Sequence, residues 1–591
     1  MKRRFWSFLM ICVIAISLVS IPNLANSTVP AFPTNFEEVT NQLDPLDPMK
    51  LPYTGLYEQT VTIGNLTRTF KAYIPESGVH CASSVFILPP NGETAADFIE
   101  GSGWMEIADK NGFYLFVPEP FEGEWKQDGT EVDYIKAVVA ETAKRIYYNP
   151  YPGNMYILGY QEGATVAQQA AMRTPNSWAG LATFGEINVT EAFMMETAGL
   201  ASNDPQVALS EVPVPVWMIS NKLNDSASAT LAYWMAANNV SDQAYTLDDT
   251  FVYMPELTTV DRMIDTQPVA KVQFTKKNTV KYDPEFNEQV WDEFLSKVGR
   301  FAGITNTNLR ALLGEEGAGM AEQRLVVDGY KRTWYEYVPT SAQSNPDQPL
   351  PVVVVYHGGS QTSTAYIDYL QWYKIAEERN FIVVMPQGYP LKRNGIPHPS
   401  WNVAAVPTAP DDIEFTKSMI ENVESRYNVD QGKVYCTGQS MGSMMSLRAA
   451  MALPDIFTAS GSTSGVIINP AMYELTDVNI DYEIPVWIIM GQNDIGGGSL
   501  AQNAAAKTTV EYWIERNQTV TVDQGSYYKN GAYNHFMFVN DNNTPMVRYS
   551  VVDQKGHLCL PSEAWMLWDE FFSKYIRNEN GDIEFEGRAA N

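Results

Sequence analysis

VYCTGQSMGSMMSLRAAMALP, residues 434–454, runs from an apolar, β-branched stretch into a helix-like one through the turn Gly438-Gln439-Ser440-Met441-Gly442. Glycines on either side of the central position let a backbone fold back sharply where Cβ atoms would crowd. Such a turn lifts its central side chain, here Ser440, out of the fold. The G-x-S-x-G pattern alone is weakly specific, because it arises by chance in many chains. It gains weight when it follows a strand and opens a helix, as it does here. GYQEGATVAQQAAMRTP (159–175) aligns with GQSMGSMMSLRAAMALP (438–454) without a gap, yet holds Gln161 where the later copy holds Ser440. An amide cannot act as a nucleophile, so only one of the two turns carries a candidate.

The repetition extends well beyond the turn. RTFKAYIP (68–75) returns as RTWYEYVP (332–339), SSVFILPPNG (83–92) as PVVVVYHGG (351–359), and NGFYLFVPEP (111–120) as NFIVVMPQG (380–388). VPVWMIS (214–220) matches IPVWIIM (484–490), and WDEFLSKVGR (291–300) matches WDEFFSKYIR (568–577). Apolar strand-like runs alternate with amphipathic segments such as DDIEFTKSMIENVESRYN (411–428), whose acidic opening suits a helix start. That alternation predicts parallel sheets covered by helices on both faces. A period of about 270 residues is too long for a solenoid and points to a whole domain written twice.

With 591 residues the chain exceeds one ordinary core, and 45% hydrophobic content supplies material for two. MKRRFWSFLMICVIAISLVSIPNLANS has a basic head (Lys2, Arg3, Arg4), an apolar run and small residues at Ala25-Asn26-Ser27. It reads as an export signal cleaved after Ser27, with an uncleaved anchor as the competing reading. No later stretch is long and apolar enough to span a bilayer. The expected organisation is a signal peptide (1–27), a first α/β domain (28–302), a linker (303–323) in GITNTNLRALLGEEGAGMAEQ, and a second α/β domain (324–591). The formal net charge is −29, and signal cleavage would remove three basic residues. Such acidity argues against nucleic acid or anionic membranes as partners and suits a secreted, extracellular protein. Past Ser27 the cysteines are Cys81, Cys436 and Cys559, too few for a disulfide framework or a zinc site, though one bridge stays open. No His/Cys/carboxylate spacing implies a metal or an organic cofactor.

A serine hydroxyl needs a base, and the chain offers five histidines. His80 lies in the first copy. His357 belongs to the HGGS loop, His398 to the proline-bearing IPHPSWN, and His535 to the hairpin-like GAYNHFMF. His557, in VVDQKGHLCLP, stands in a loop after the strand-like VRYSVV and before the last helix. The order Ser…Asp…His then asks for an acid after an intervening strand, and IPVWIIMGQNDIGGG supplies Asp494. Its role would be to accept the other imidazole N–H and stabilise the imidazolium formed during attack. The alternatives are a packing histidine and a turn aspartate. Backbone N–H groups of Met441 and of Gly359 or Ser360 are the candidate oxyanion donors.

YHGGSQTSTAY, the Trp401-Asn402 pair, DDIEFTKSMIENVESRYNVDQGKVYCTGQSMGS, PDIFTASGSTSG, PVWIIMGQND and the final Gly-His together resemble polyhydroxybutyrate-depolymerase-type esterases, a group that includes feruloyl and acetylxylan esterases. The resemblance covers most of residues 324–578. It implies an α/β-hydrolase fold and ester hydrolysis through Ser440, Asp494 and His557. Relatives often carry a cysteine before the Trp-Asn pair, where this chain has Ser400, a departure that leaves the associated disulfide and the transfer of substrate specificity open.

The first copy lacks the corresponding chemistry. In register with the shared tryptophan the base position falls on Val280, and the acid position on Asn224 or Asp225. Residues 28–302 therefore read as a degenerate, non-catalytic hydrolase-like domain kept for packing, binding or substrate placement. The expectation is a secreted serine esterase acting on plant-wall feruloyl or acetyl esters, its partner an ester substrate, small or polymeric. A polyester depolymerase and an inert binding protein are the competing readings.

Overall fold

The computed structural model describes residues 29–32, 44–51, 53–144, 148, 150–255, 269–279, 281–301, 308–393 and 396–590. The signal expected at 1–27 and the base position at Val280 lie outside the described residues.

In the first half one sheet contains β1 (Gly55–Ile63), β2 (Leu66–Ile74), β3 (Ser84–Leu88), β4 (Tyr114–Pro118) and β5 (Met155–Tyr160). It continues with β6 (Gly180–Phe184), β7 (Val216–Ser220), β8 (Tyr245–Leu247), β9 (Thr250–Tyr253) and β10 (Val272–Lys276). Their order is β1-β2-β4-β3-β5-β6-β7-β10-β9-β8. The strands β11 (Val298–Arg300) and β12 (Leu309–Ala311) then pair antiparallel. The second half has β13 (Ala321–Val327), β14 (Tyr330–Tyr337), β15 (Leu350–Tyr356), β16 (Ile382–Pro386) and a separate hairpin of β17 (Tyr389–Arg393) and β18 (Ile396–Ser400). There follow β19 (Val429–Gln439), β20 (Ala459–Thr463), β21 (Val486–Gly491), β22 (Ser526–Asn530), β23 (Tyr533–Val539) and β24 (Pro545–Val552). The large sheet runs β13-β14-β16-β15-β19-β20-β21-β24-β23-β22, the same order as the first. In each sheet the central strands are parallel, with antiparallel strands at both edges. This is the expected α/β-hydrolase architecture, present in each half. Buried on both faces, the central strands read as unbroken apolar runs, such as Val352–Tyr356.

The same long-range bonds recur in each half. Asn238 accepts from the Val214 N–H at 2.8 Å and donates to the Val214 carbonyl at 2.6 Å, and Asn517 does likewise with Ile484 at 3.0 and 2.9 Å. Each ties the C-terminal end of a helix back to the residues that enter the strand before it in the chain. Trp217 donates to Thr275 and Trp487 to Ser550, both at 2.8 Å. The arginines of the RTF and RTW motifs sit in matching buried ion pairs, Arg68 with Glu131 and Arg332 with Asp412. Each guanidinium also lies over a ring, Tyr134 at 3.5 Å and Phe415 at 3.9 Å.

The stretch expected to be a polar linker, 303–323, is structured over its described part. Leu309 and Ala311 are buried in β12, a short helix spans Gly314–Gly317, and β13 already begins at Ala321, ahead of the expected boundary at 324. The cause is Arg310, 1% exposed, whose guanidinium lies 5.4–5.6 Å from the rings of Tyr151, Phe301 and Tyr369. Phe301 of the first half packs in the same apolar cluster as Tyr366 and Tyr369 of the second. The two halves thus share a core, which a polar-looking sequence concealed.

Asp412 both pairs with Arg332 at 2.5 Å and accepts from the Asn402 N–H. Burial pushes its carboxyl above the ordinary range even against the guanidinium. A pair so costly to desolvate punishes removal of one partner more than removal of both. Arg332→Met alone should lower stability by about 3–5 kcal/mol in chemical denaturation. Arg332→Met combined with Asp412→Leu should lower it less than the single change does.

Candidate active site

Ser440 stands between β19 and the helix Met441–Ala452 with φ 57° and ψ −116°, a sparsely populated conformation for a residue with a side chain. Its neighbours explain why the flanks are glycine. A Cβ on Gly438 would strike the Gly442 backbone, and one on Gly442 would strike the carbonyls of Tyr356 and His357. The Ser440 N–H donates to the Thr463 carbonyl at 3.0 Å, fastening the turn to β20.

The serine hydroxyl lies 2.8 Å from His557 Nε2, and His557 Nδ1 lies 2.6 Å from Asp494 Oδ1. With Asp494 ionised, Nδ1 donates to the carboxylate, which leaves Nε2 to accept from Ser440. The His557 side chain is 33% exposed and that of Asp494 is fully buried. Burial alone would raise the Asp494 carboxyl. The hydrogen bond from His557, then the imidazole charge and the Ile495 N–H, hold it below the ordinary range instead. The structure thus brings the three sequence-derived residues together.

The HGGS loop carries a correction. Ser360 was one of two candidates for the second oxyanion donor, but its N–H already donates to the Pro399 carbonyl at 2.7 Å. Gly359 remains, and a Cβ built on it would lie 3.4 Å from the Met441 Cβ, which sets its backbone beside the helix start. The N–H groups of a helix's first turn have no intrahelical partners, so Met441 is suited to the role.

His357 holds this loop. Its Nδ1 lies 2.7 Å from the Gly358 carbonyl, while its Nε2 accepts from the Gly388 N–H at 2.8 Å. Trp401 donates to the His357 carbonyl at 2.7 Å, and Asn402 donates to the carbonyls of Val406 and Pro410. The Trp-Asn pair is therefore a brace for neighbouring loops. Sequence reasoning missed the supports of the His557 loop. Lys555 and Glu563 form a buried pair at 2.5 Å, and Ser464 donates to the Leu558 carbonyl at 2.5 Å. A lysine and a glutamate in ordinary polar spacing gave no signal of burial.

In the first half Gln161 repeats the strained turn, with φ 51° and ψ −116°. Its amide donates to the Thr279 carbonyl at 2.6 Å. Asn224 caps the helix Asp225–Ala237 through the Ala227 N–H and donates to Glu186. No carboxylate–imidazole pair forms there among the described residues. Cys81, Cys436 and Cys559 form no disulfide. Among the described residues no group of three His, Cys, Asp or Glu could hold a metal ion, and no helix is long and apolar enough to cross a membrane.

A strand–turn–helix serine joined to a histidine and a buried aspartate on loops of a parallel sheet is the site layout of α/β-hydrolases. A putative-esterase family model matches residues 329–539, and over those residues the chain is similar to that family. The poly(3-hydroxyalkanoate) depolymerase C of Paucimonas lemoignei is 22% identical over 38% of this chain and 57% of its own length. Acetylxylan esterase A of Aspergillus oryzae is 31% identical over 22% of this chain and 41% of its own. The chain thus spans about half the length of these curated relatives or less. Among solved structures, an acetyl xylan esterase from Aspergillus awamori is similar to 43% of this chain at 19% identity, with 99% of its own chain covered and a TM-score of 0.34. The feruloyl esterase module from Clostridium thermocellum covers 43% of this chain and 86% of its own at 14% identity, with a TM-score of 0.30.

Three histidines outside the triad are pressed towards neutrality by burial: His80 to about 3, His357 to about 4 and His535 to about 4, the last also by Arg548. The unfolded chain binds these protons near the ordinary value of 6.5 and the folded chain does not. Their contribution to stability is therefore complete above pH 6.5 and declines as pH falls towards 4. Denaturant midpoints measured from pH 7 to pH 4 should decrease. Histidine NMR should show His357 un-ionised throughout pH 5–8.

Proposed function

We propose that the protein is a serine carboxylic ester hydrolase whose single catalytic centre is Ser440, His557 and Asp494. The observation that carries this is the continuous relay from Ser440 Oγ to His557 Nε2 and from Nδ1 to Asp494. His557 takes the hydroxyl proton as Ser440 attacks the ester carbonyl. The tetrahedral oxyanion is met by the N–H groups of Met441 and Gly359, and the protonated imidazole then hands its proton to the leaving alcohol. Water, deprotonated by the same imidazole, releases the acid from the acyl-enzyme. Asp494, held ionised, stabilises each imidazolium.

The substrate class is an acetyl or feruloyl ester of a plant-wall polysaccharide, in keeping with the acetylxylan esterases it resembles and with an acidic, exported chain. An extracellular polyester depolymerase is the second reading, favoured by the depolymerase whose similarity extends over 38% of the chain. The first half is non-catalytic: Gln161 is no nucleophile, and its amide occupies itself with Thr279.

Ser440→Ala and His557→Ala should each lower kcat for p-nitrophenyl acetate by several orders of magnitude with folding intact. A fluorophosphonate should label Ser440 and nothing in the first half. Absence of labelling on native protein would leave a binding protein instead. Gln161→Ser should create no second labelled serine. Comparing methyl ferulate and acetylated xylan with a polyhydroxyalkanoate film separates the two substrate readings.

A further inference from the structure

Cys81 of the first half reaches the active-site loop of the second directly. Cys81, in the turn after His80, lies with its Sγ 3.1 Å from the Ser360 carbonyl, the thiol donating. The two peptide groups that flank the Ser360 Cα are thereby both held, the N–H on one side by Pro399 of β18 and the carbonyl on the other by Cys81. Both residues have positive φ, 63° for Cys81 and 61° for Ser360. Side-chain-bearing residues persist in this region where the surroundings over-determine them, and such places concentrate at functional sites. His80 is 4% exposed, and its ring meets that of His398 of β18 edge-on at 6.5 Å. The same face of the first half therefore also supports the strand that supplies Pro399.

A second route from the shared core ends on the same loop. Phe301 lies 6.0 Å from Tyr369, and Tyr369 lies 5.7 Å from Tyr366. The Tyr366 hydroxyl accepts from the Gly358 N–H at 3.1 Å and donates to Gln439, the residue before Ser440, at 2.6 Å. Gly358 and Ser360, on either side of Gly359, are each tied to a side chain that rests on the first half or belongs to it.

We propose that Cys81 is a positioning residue: through the Ser360 carbonyl it fixes the Gly359 N–H that meets the oxyanion, so the inert half takes part in transition-state stabilisation. The inference rests on the esterase reading above. A donor that drifts by a fraction of an ångström weakens its bond to a charge that exists only in the transition state, while ground-state binding barely changes.

The test uses the full chain. Cys81→Ala removes the thiol donor and Cys81→Ser keeps one. Cys81→Gly also removes it while suiting the positive φ, so backbone strain cannot explain its behaviour. Loss of one neutral hydrogen bond in the support is expected to lower kcat for p-nitrophenyl acetate about fivefold in Cys81→Ala and Cys81→Gly, with KM and Tm unchanged. Affinity for a trifluoromethyl ketone, whose adduct carries the oxyanion, should fall by the same factor. Cys81→Ser should restore both. Wild-type kcat in Cys81→Ala or Cys81→Gly, or a Cys81→Ser variant as slow as Cys81→Ala, would overturn the proposal. A serine esterase reading that is itself wrong shows up differently, as full activity in Ser440→Ala.

Discussion

A residue with a side chain, held at positive φ between a parallel strand and a helix, is the constraint on which the site depends. Ser440 can occupy that conformation only because Gly438 and Gly442 leave room for the Tyr356 and His357 carbonyls. The turn is fastened to β20 through Thr463. Such a backbone costs on the order of 1–3 kcal/mol and survives because the surrounding sheet leaves no alternative. In return the hydroxyl projects beyond the strand ends, where loops after β21 and β24 can bring a carboxylate and an imidazole to it. The positions of Asp494 and His557 follow from strand order, since both leave neighbouring parallel strands on the same edge of the sheet.

The first half separates this geometry from its chemistry. Gln161 has nearly the same dihedral angles as Ser440, and its N–H makes the equivalent bond to Phe184. The strained turn therefore belongs to the architecture and not to catalysis alone. What differs is the use of the side chain: the amide ties the turn to Thr279, next to where a base would stand. Asn224 shows the same exchange, spending its side chain on a helix cap.

Much of this was legible because it is local. The glycine-flanked turn, the β-branched runs and the loop positions of Asp494 and His557 are patterns of a few residues each, and the duplicated motifs gave the fold class. What could not be read depends on non-local placement. Ser360 is excluded as a donor by a hairpin whose Pro399 lies far along the chain. Lys555 and Glu563 look like surface charges until the fold buries them against each other. Arg310 made 303–323 seem a polar tether, because a sequence does not announce that three rings from both halves will surround one guanidinium.

The shared core around Phe301, Arg310 and Tyr369 also bears on how the chain comes to be folded. Domains tend to fold in order of their synthesis. The first half can complete its own ten-stranded sheet early, but Phe301 and Tyr151 then wait for a tyrosine that has not yet been made. Until Tyr369 is made, Arg310 would have two of its three ring neighbours beside it, Tyr151 and Phe301.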